Sequence, residues 1–168
     1  MTDRTEPRDI PRFTLLVYWG CILLGMAIPP TASIAVDTLK HGQSISQAVH
    51  QWHIHLFAPG YNLFLIAMLN AIPFILLAVF ALLHLGWAGP DRTGLRRRMS
   101  GVVVAAIAAV GLSLWTHVMT LWHPDAQGAL AYVFLPFVLA MVIPLSYLAG
   151  WGGAYLLQGA KSGRLISS

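Results

Sequence analysis

Residues 61–85 read YNLFLIAMLNAIPFILLAVFALLHL. This stretch decides the fold class, because it exceeds the roughly 20 predominantly apolar residues that a helix needs to cross a bilayer. Residues 13–36, 102–122 and 129–157 meet the same requirement. Composition agrees, since 57% of the 168 residues are hydrophobic and only 10% are charged, against roughly 25% charged in soluble domains. An all-α integral membrane protein with four transmembrane helices is expected, forming a single domain over residues 1–168. The connections leave no room for a soluble domain.

The basic residues orient the helices. Arg4, Arg8 and Arg12 precede the first span; Arg92, Arg96, Arg97 and Arg98 lie between the second and third; Lys161 and Arg164 follow the fourth. Only Lys40 falls on the other side, so nine of the ten Lys and Arg residues occupy alternate connections. The positive-inside rule then places both termini in the cytoplasm. The net charge of +4 is an orientation signal, so no nucleic-acid partner is expected. The expected setting is the lipid bilayer, with a bacterial inner membrane as the working location.

Between the first two spans lies SISQAVHQWHIHLFAPG, residues 44–60. Ile45, Ala48, Val49, Trp52 and Leu56 form the apolar stripe of a short interfacial helix, about residues 44–57, on the outer face. Ser44 can cap its start and Pro59-Gly60 ends it. On this helix His50 and His53 are one turn apart and project together. His53 and His55 diverge by about 200°, so the His-x-His pattern is not the chelating pair.

The remaining punctuation predicts local breaks. Pro29-Pro30 predicts a kink or a stop, and a stop at Ile28 would leave residues 31–40 irregular and deliver Asp37 and His41 toward the histidine helix. Such a start also resembles a signal peptide, but the apolar region runs on past the prolines and four spans are expected. Pro73 frees the carbonyl of Leu69, which Asn70 can help to satisfy; Asn70 can also join helices or line a polar path. Residues 87–101 read as an arginine-rich turn, and residues 1–12 as a mobile arm. The order Ala-Met before Ile-Pro occurs at Ala67-Met68 with Ile72-Pro73 and again at Ala140-Met141 with Ile143-Pro144, as two related helical hairpins would produce.

In the third span Gly101, Ala105, Ala109, Ser113 and His117 recur every fourth residue. Small residues at that spacing allow close helix approach, so the row should face the bundle interior with His117 at its outer end. On this topology His41, His50, His53, His55, His117 and His123 gather at the outer face and only His84 lies inside. Imidazole is a common ligand of zinc and copper. A metal site would use His50, His53 and His117, completed by His123 or Asp125. A haem b site would pair His53 or His55 with His117, in a flat pocket lined by Trp52, Trp115 and Trp122.

Other chemistry lacks its parts. There is no Gly-rich phosphate loop, no Cys-x-x-Cys, no His-Glu-x-x-His and no pair of carboxylates within a span. The single Cys21 excludes an internal disulfide. The leading expectation is a small inner-membrane protein whose outer histidine cluster holds a transition metal or haem, in a redox or metal-handling system. A second class is an accessory or assembly subunit that packs beside other membrane subunits or a second copy of itself. A third, a small-molecule carrier or membrane enzyme, needs a cavity around Asn70, Tyr132 and Ser146.

Overall fold

The computed structural model describes residues 12–59, 62–86, 92–124 and 128–164. The expected N-terminal arm up to residue 11, Gly60 of the Pro59-Gly60 helix end, the Gly89-Pro90-Asp91 turn and Asp125 lie outside these residues. Five helices follow one another: α1 (Arg12–Leu39), α2 (Ile45–His55), α3 (Leu63–Gly86), α4 (Arg92–Trp122) and α5 (Gly128–Arg164). All but α2 are long and apolar enough to cross a membrane. The protein is therefore an all-helical integral membrane protein with four candidate spans.

The tightest pairs are α1 with α3 and α4 with α5, matching the two hairpins suggested by the repeated Ala-Met and Ile-Pro order. The hairpins meet chiefly along α1 and α4, while α3 and α5 touch more lightly. Ile28, Phe74, Ala109, Leu135 and Leu139 fill the centre. Gly101, Ala105, Ala109, Ser113 and His117 are all buried, so the small-residue row does face inward. Glycine is required where helices nearly touch. A Cβ on Gly25 would stand 2.7 Å from the Phe74 Cβ and 3.1 Å from the Ala71 Cα, and one on Gly150 would stand 2.8 Å from the Ser100 carbonyl oxygen.

Two expectations about backbone breaks are corrected. First, α1 runs unbroken through Pro29 and Pro30 to Leu39, so residues 31–39 are helical and not an irregular segment carrying Asp37. Pro29 has no N–H to give the carbonyl of Gly25, four residues earlier. That carbonyl accepts instead from the Asn70 Nδ2 on α3 at 2.7 Å. Thr31 also binds the α1 backbone, its Oγ1 donating to the carbonyls of Ala27 and Ile28 at 2.8 and 2.9 Å. Asn70 thus repairs a defect in the neighbouring helix, not the Pro73 defect in its own.

Second, α4 begins at Arg92, so most of the expected turn at residues 87–101 is helix. The early turns of α4 are held by α5. Ser100 Oγ donates to the Gly150 carbonyl at 3.0 Å, Arg97 donates to the Gln158 side chain, and the Arg97 guanidinium lies 4.6 Å from the centre of the Tyr155 ring. These contacts offset the weak helix propensity of Thr93 and Gly94.

Candidate functional site

The helix α2 forms where the apolar stripe predicts it. Ser44 caps it in a capping box with Gln47: the Gln47 N–H donates to Ser44 Oγ at 3.3 Å, and the Ser44 N–H donates to Gln47 Oε1 at 2.9 Å. Its main helical neighbour is α1, and only Ala48 of its residues is fully covered. Past its end, the Phe64 N–H donates to the Leu56 carbonyl at 3.1 Å and the Phe57 and Phe64 rings stand 5.3 Å apart. This joins α2 to the start of α3. Lys40 donates through Nζ to the Trp122 carbonyl. The lone basic residue of the histidine end therefore caps the negative end of α4.

The histidines divide into two groups. His41, His50, His53 and His123 are exposed and His55 is half-buried, all at the rim. His123 continues the α4 ladder, its N–H donating to the Met119 carbonyl at 2.9 Å. His117 is only 2% exposed, inside the bundle. Trp115, two residues earlier and about 200° around the helix, is 63% exposed. It faces outward, away from the expected haem pocket. Among the described residues no three His, Cys, Asp or Glu side chains stand close enough together to hold a metal ion.

A polar path runs through the bundle that no sequence pattern marks as a unit. It starts at the Gly25 carbonyl, which accepts from Asn70 Nδ2, and continues where Ser113 Oγ donates to Asn70 Oδ1 at 2.7 Å. The carbonyl of Ser113 in turn stands 2.8 Å from His117 Nδ1. A carbonyl oxygen only accepts, so this bond requires the proton on Nδ1. Neutral His117 then presents a bare lone pair on Nε2, a buried nitrogen with no hydrogen-bond partner. The imidazole packs against the Tyr132 ring of α5, with centres 5.1 Å apart. Asn70, Ser113 and His117 thereby link α1, α3 and α4 through buried side chains and end against α5.

Tyr132 also faces a cleft of about 590 Å³ between α3, the end of α4 and the start of α5. Leu65, Ile66, Leu69, Leu121 and Val133 give it apolar walls, while Asn62, Thr120 and Tyr132 bring polar groups. Its volume falls within the roughly 300–1,000 Å³ of small-molecule sites. The expected cavity around Asn70, Tyr132 and Ser146 is thus corrected in position. Asn70 is 2% exposed and bonded at both ends of its amide, and the space lies beyond Tyr132. Lightly packed α3 and α5 create the cleft, a tertiary feature with no local signature in either helix.

Comparison with protein families, with curated proteins and with solved structures finds no match to the chain.

Proposed function

We propose that the protein binds a lipid-soluble small molecule in the cleft between α3 and α5, with the polar end of the ligand at Tyr132, behind which His117 is packed. The supporting observation is the bare Nε2 of His117, held in place by the bond from Nδ1 to the Ser113 carbonyl. A buried intramembrane imidazole with an unused nitrogen costs stability unless something completes it, and ionisable residues within spans are by default candidates for function. A ligand whose hydroxyl or N–H donor enters past the Tyr132 ring would satisfy Nε2, while its apolar body lies against Leu65, Leu69 and Val133. The chain contributes binding and orientation; no reaction is assigned.

A second reading is supported by the same bond. Metal-ligating histidines usually give the N–H of their other ring nitrogen to a carbonyl or carboxylate, which fixes the tautomer and orientation. His117 has this arrangement, so in the cofactor reading it is the residue that would hold haem b, through Nε2. The multidentate site of His50, His53 and His117 has less support, because α2 lies chiefly against α1 while His117 is buried against α5.

One preparation tests both readings. The full chain is purified in mild detergent, its absorption spectrum recorded, and its organic extract analysed by mass spectrometry. The ligand reading expects a non-haem apolar compound at one per chain, depleted in His117→Phe and in Ala129→Trp, which fills the cleft. A Soret band lost in His117→Ala would establish the haem reading instead. An extract containing only bulk phospholipid, identical in wild type and both variants, with no Soret band, would remove both.

A further inference from the structure

The seam between α3 and α5 contains a second hollow in the other half of the membrane. It measures about 470 Å³ and is walled by apolar side chains, among them Pro73, Leu77, Ile143 and Pro144. His84 and Tyr147 line its far end. From Pro73 to His84 the helix rises about 16 Å, close to half of a hydrocarbon core roughly 30 Å thick. The groove therefore has the length of one lipid chain in one leaflet.

The far end is basic. Next to the groove lies a smaller hollow of about 320 Å³ lined by Phe80, Leu83, His84 and Arg98. His84 stacks on Phe80 with ring centres 4.9 Å apart and meets Tyr147 edge-on at 5.5 Å, and Phe80 and His84 line both hollows. Arg98 Nη1 donates to the His84 carbonyl at 3.1 Å, which anchors the guanidinium at this mouth. Arg96 and Arg97 stand beside it in sequence, and no carboxylate occurs at this end among the described residues. A planar guanidinium fork suits phosphate oxygens, and basic residues at the membrane boundary attract anionic lipid.

We infer that this half of the seam is a specific site for an anionic phospholipid, with one acyl chain in the groove between α3 and α5 and its phosphate on Arg98. The site is separate from the cleft beside His117 and does not depend on what that cleft holds. An acyl chain matches a narrow apolar groove ending in positive charge better than a partner helix does, because a helix would set its side chains, not an anion, against Arg98.

Native mass spectrometry of the full chain tests the inference, using micelles doped equally with phosphatidylglycerol and phosphatidylcholine. Wild type is expected to retain one phosphatidylglycerol per chain in preference to phosphatidylcholine by about fivefold, the discrimination one charged contact gives at a membrane surface. Arg98→Gln should abolish the preference, exposed Arg96→Gln should keep it, and Ala140→Phe, which fills the groove, should reduce retention of both lipids. If Arg98→Gln does not fold, wild type at rising salt reads the same contact, and the preference should shrink as charge is screened. Equal retention of the two lipids by wild type overturns the inference. So does a preference unchanged in Arg98→Gln or by salt, or a homodimer without bound lipid.

Discussion

Asn70→Leu, made alone and together with Pro29→Ala, tests the central structural claim, that an amide on α3 completes the backbone of α1. Leucine matches asparagine closely in reach, so most of the effect comes from lost hydrogen bonds. Two are removed, from Asn70 Nδ2 to Gly25 and from Ser113 Oγ to Asn70 Oδ1. Ser113 can turn its hydroxyl toward a carbonyl of its own helix, and interhelical bonds of this kind are worth about 0.6–2 kcal/mol in membranes. The Gly25 carbonyl has no such escape, and an unsatisfied buried acceptor costs about 1–3 kcal/mol. Asn70→Leu should therefore cost about 2–4 kcal/mol in the wild-type background. In Pro29→Ala the restored N–H of residue 29 reaches the Gly25 carbonyl, and Asn70→Leu should cost only about 1 kcal/mol. Reversible unfolding in mixed micelles, measured for all four proteins, gives the coupling. Costs equal within about 0.5 kcal/mol in the two backgrounds would show that Asn70 does not repair the proline defect.

Other positions give independent tests. Ala109→Leu should lower stability by about 1–3 kcal/mol through overpacking of the centre, whereas Val103→Leu, on the exposed flank, should stay within about 0.5 kcal/mol; equal tolerance in detergent melts would refute the inward row. Gly101→Ala should destabilise because its Cβ would stand 2.6 Å from the Tyr147 ring, while Gly111→Ala, where nothing lies within 4 Å, should gain about 0.5–1 kcal/mol from helix propensity. The reverse order would place the α4–α5 contact elsewhere. Reporter fusions at Leu95 should be cytoplasmic, as the distribution of basic residues requires, and an external signal would invert the topology.

Features whose causes are local in the chain were legible in the sequence. Length and apolarity mark the four spans, Ser44 and Gln47 mark the start of α2, and a row of small residues every fourth position marks the buried face of α4. Pro29-Pro30 reads as a break because the partner that tolerates it, Asn70, lies on another helix, 45 residues beyond the Gly25 carbonyl it satisfies. Residues 92–101 were misread for a similar reason: arginines and glycines suggest a turn until Gly150, Tyr155 and Gln158 are placed beside them. The histidines were counted by the end of the membrane they occupy. Burial, which sequence position does not give, separates His117 from the exposed residues at the rim.

That separation bears on where a ligand is expected. In lipid, apolar faces do not select their partners strongly, so close packing and polar contacts set which helices associate and in what register. Here Gly25 brings α1 against α3, and Asn70 and Ser113 then tie those helices to α4. Further along α4, Gly101 and Gly150 bring it against α5. The pair α3 and α5 lies on the far side of this chain of contacts and touches less than the α1–α3, α4–α5 and α1–α4 pairs do. A seam under less constraint can widen around a guest without breaking the contacts that hold the bundle. Both hollows lie along it, and each ends at polar side chains: Tyr132, with His117 behind it, at the histidine end, and His84 with Arg98 at the arginine end. Replacing the lining of one hollow should therefore leave binding in the other intact. Loss of phosphatidylglycerol retention in Ala129→Trp, or of the His117-dependent compound in Ala140→Phe, would show instead that the seam opens and closes as one unit.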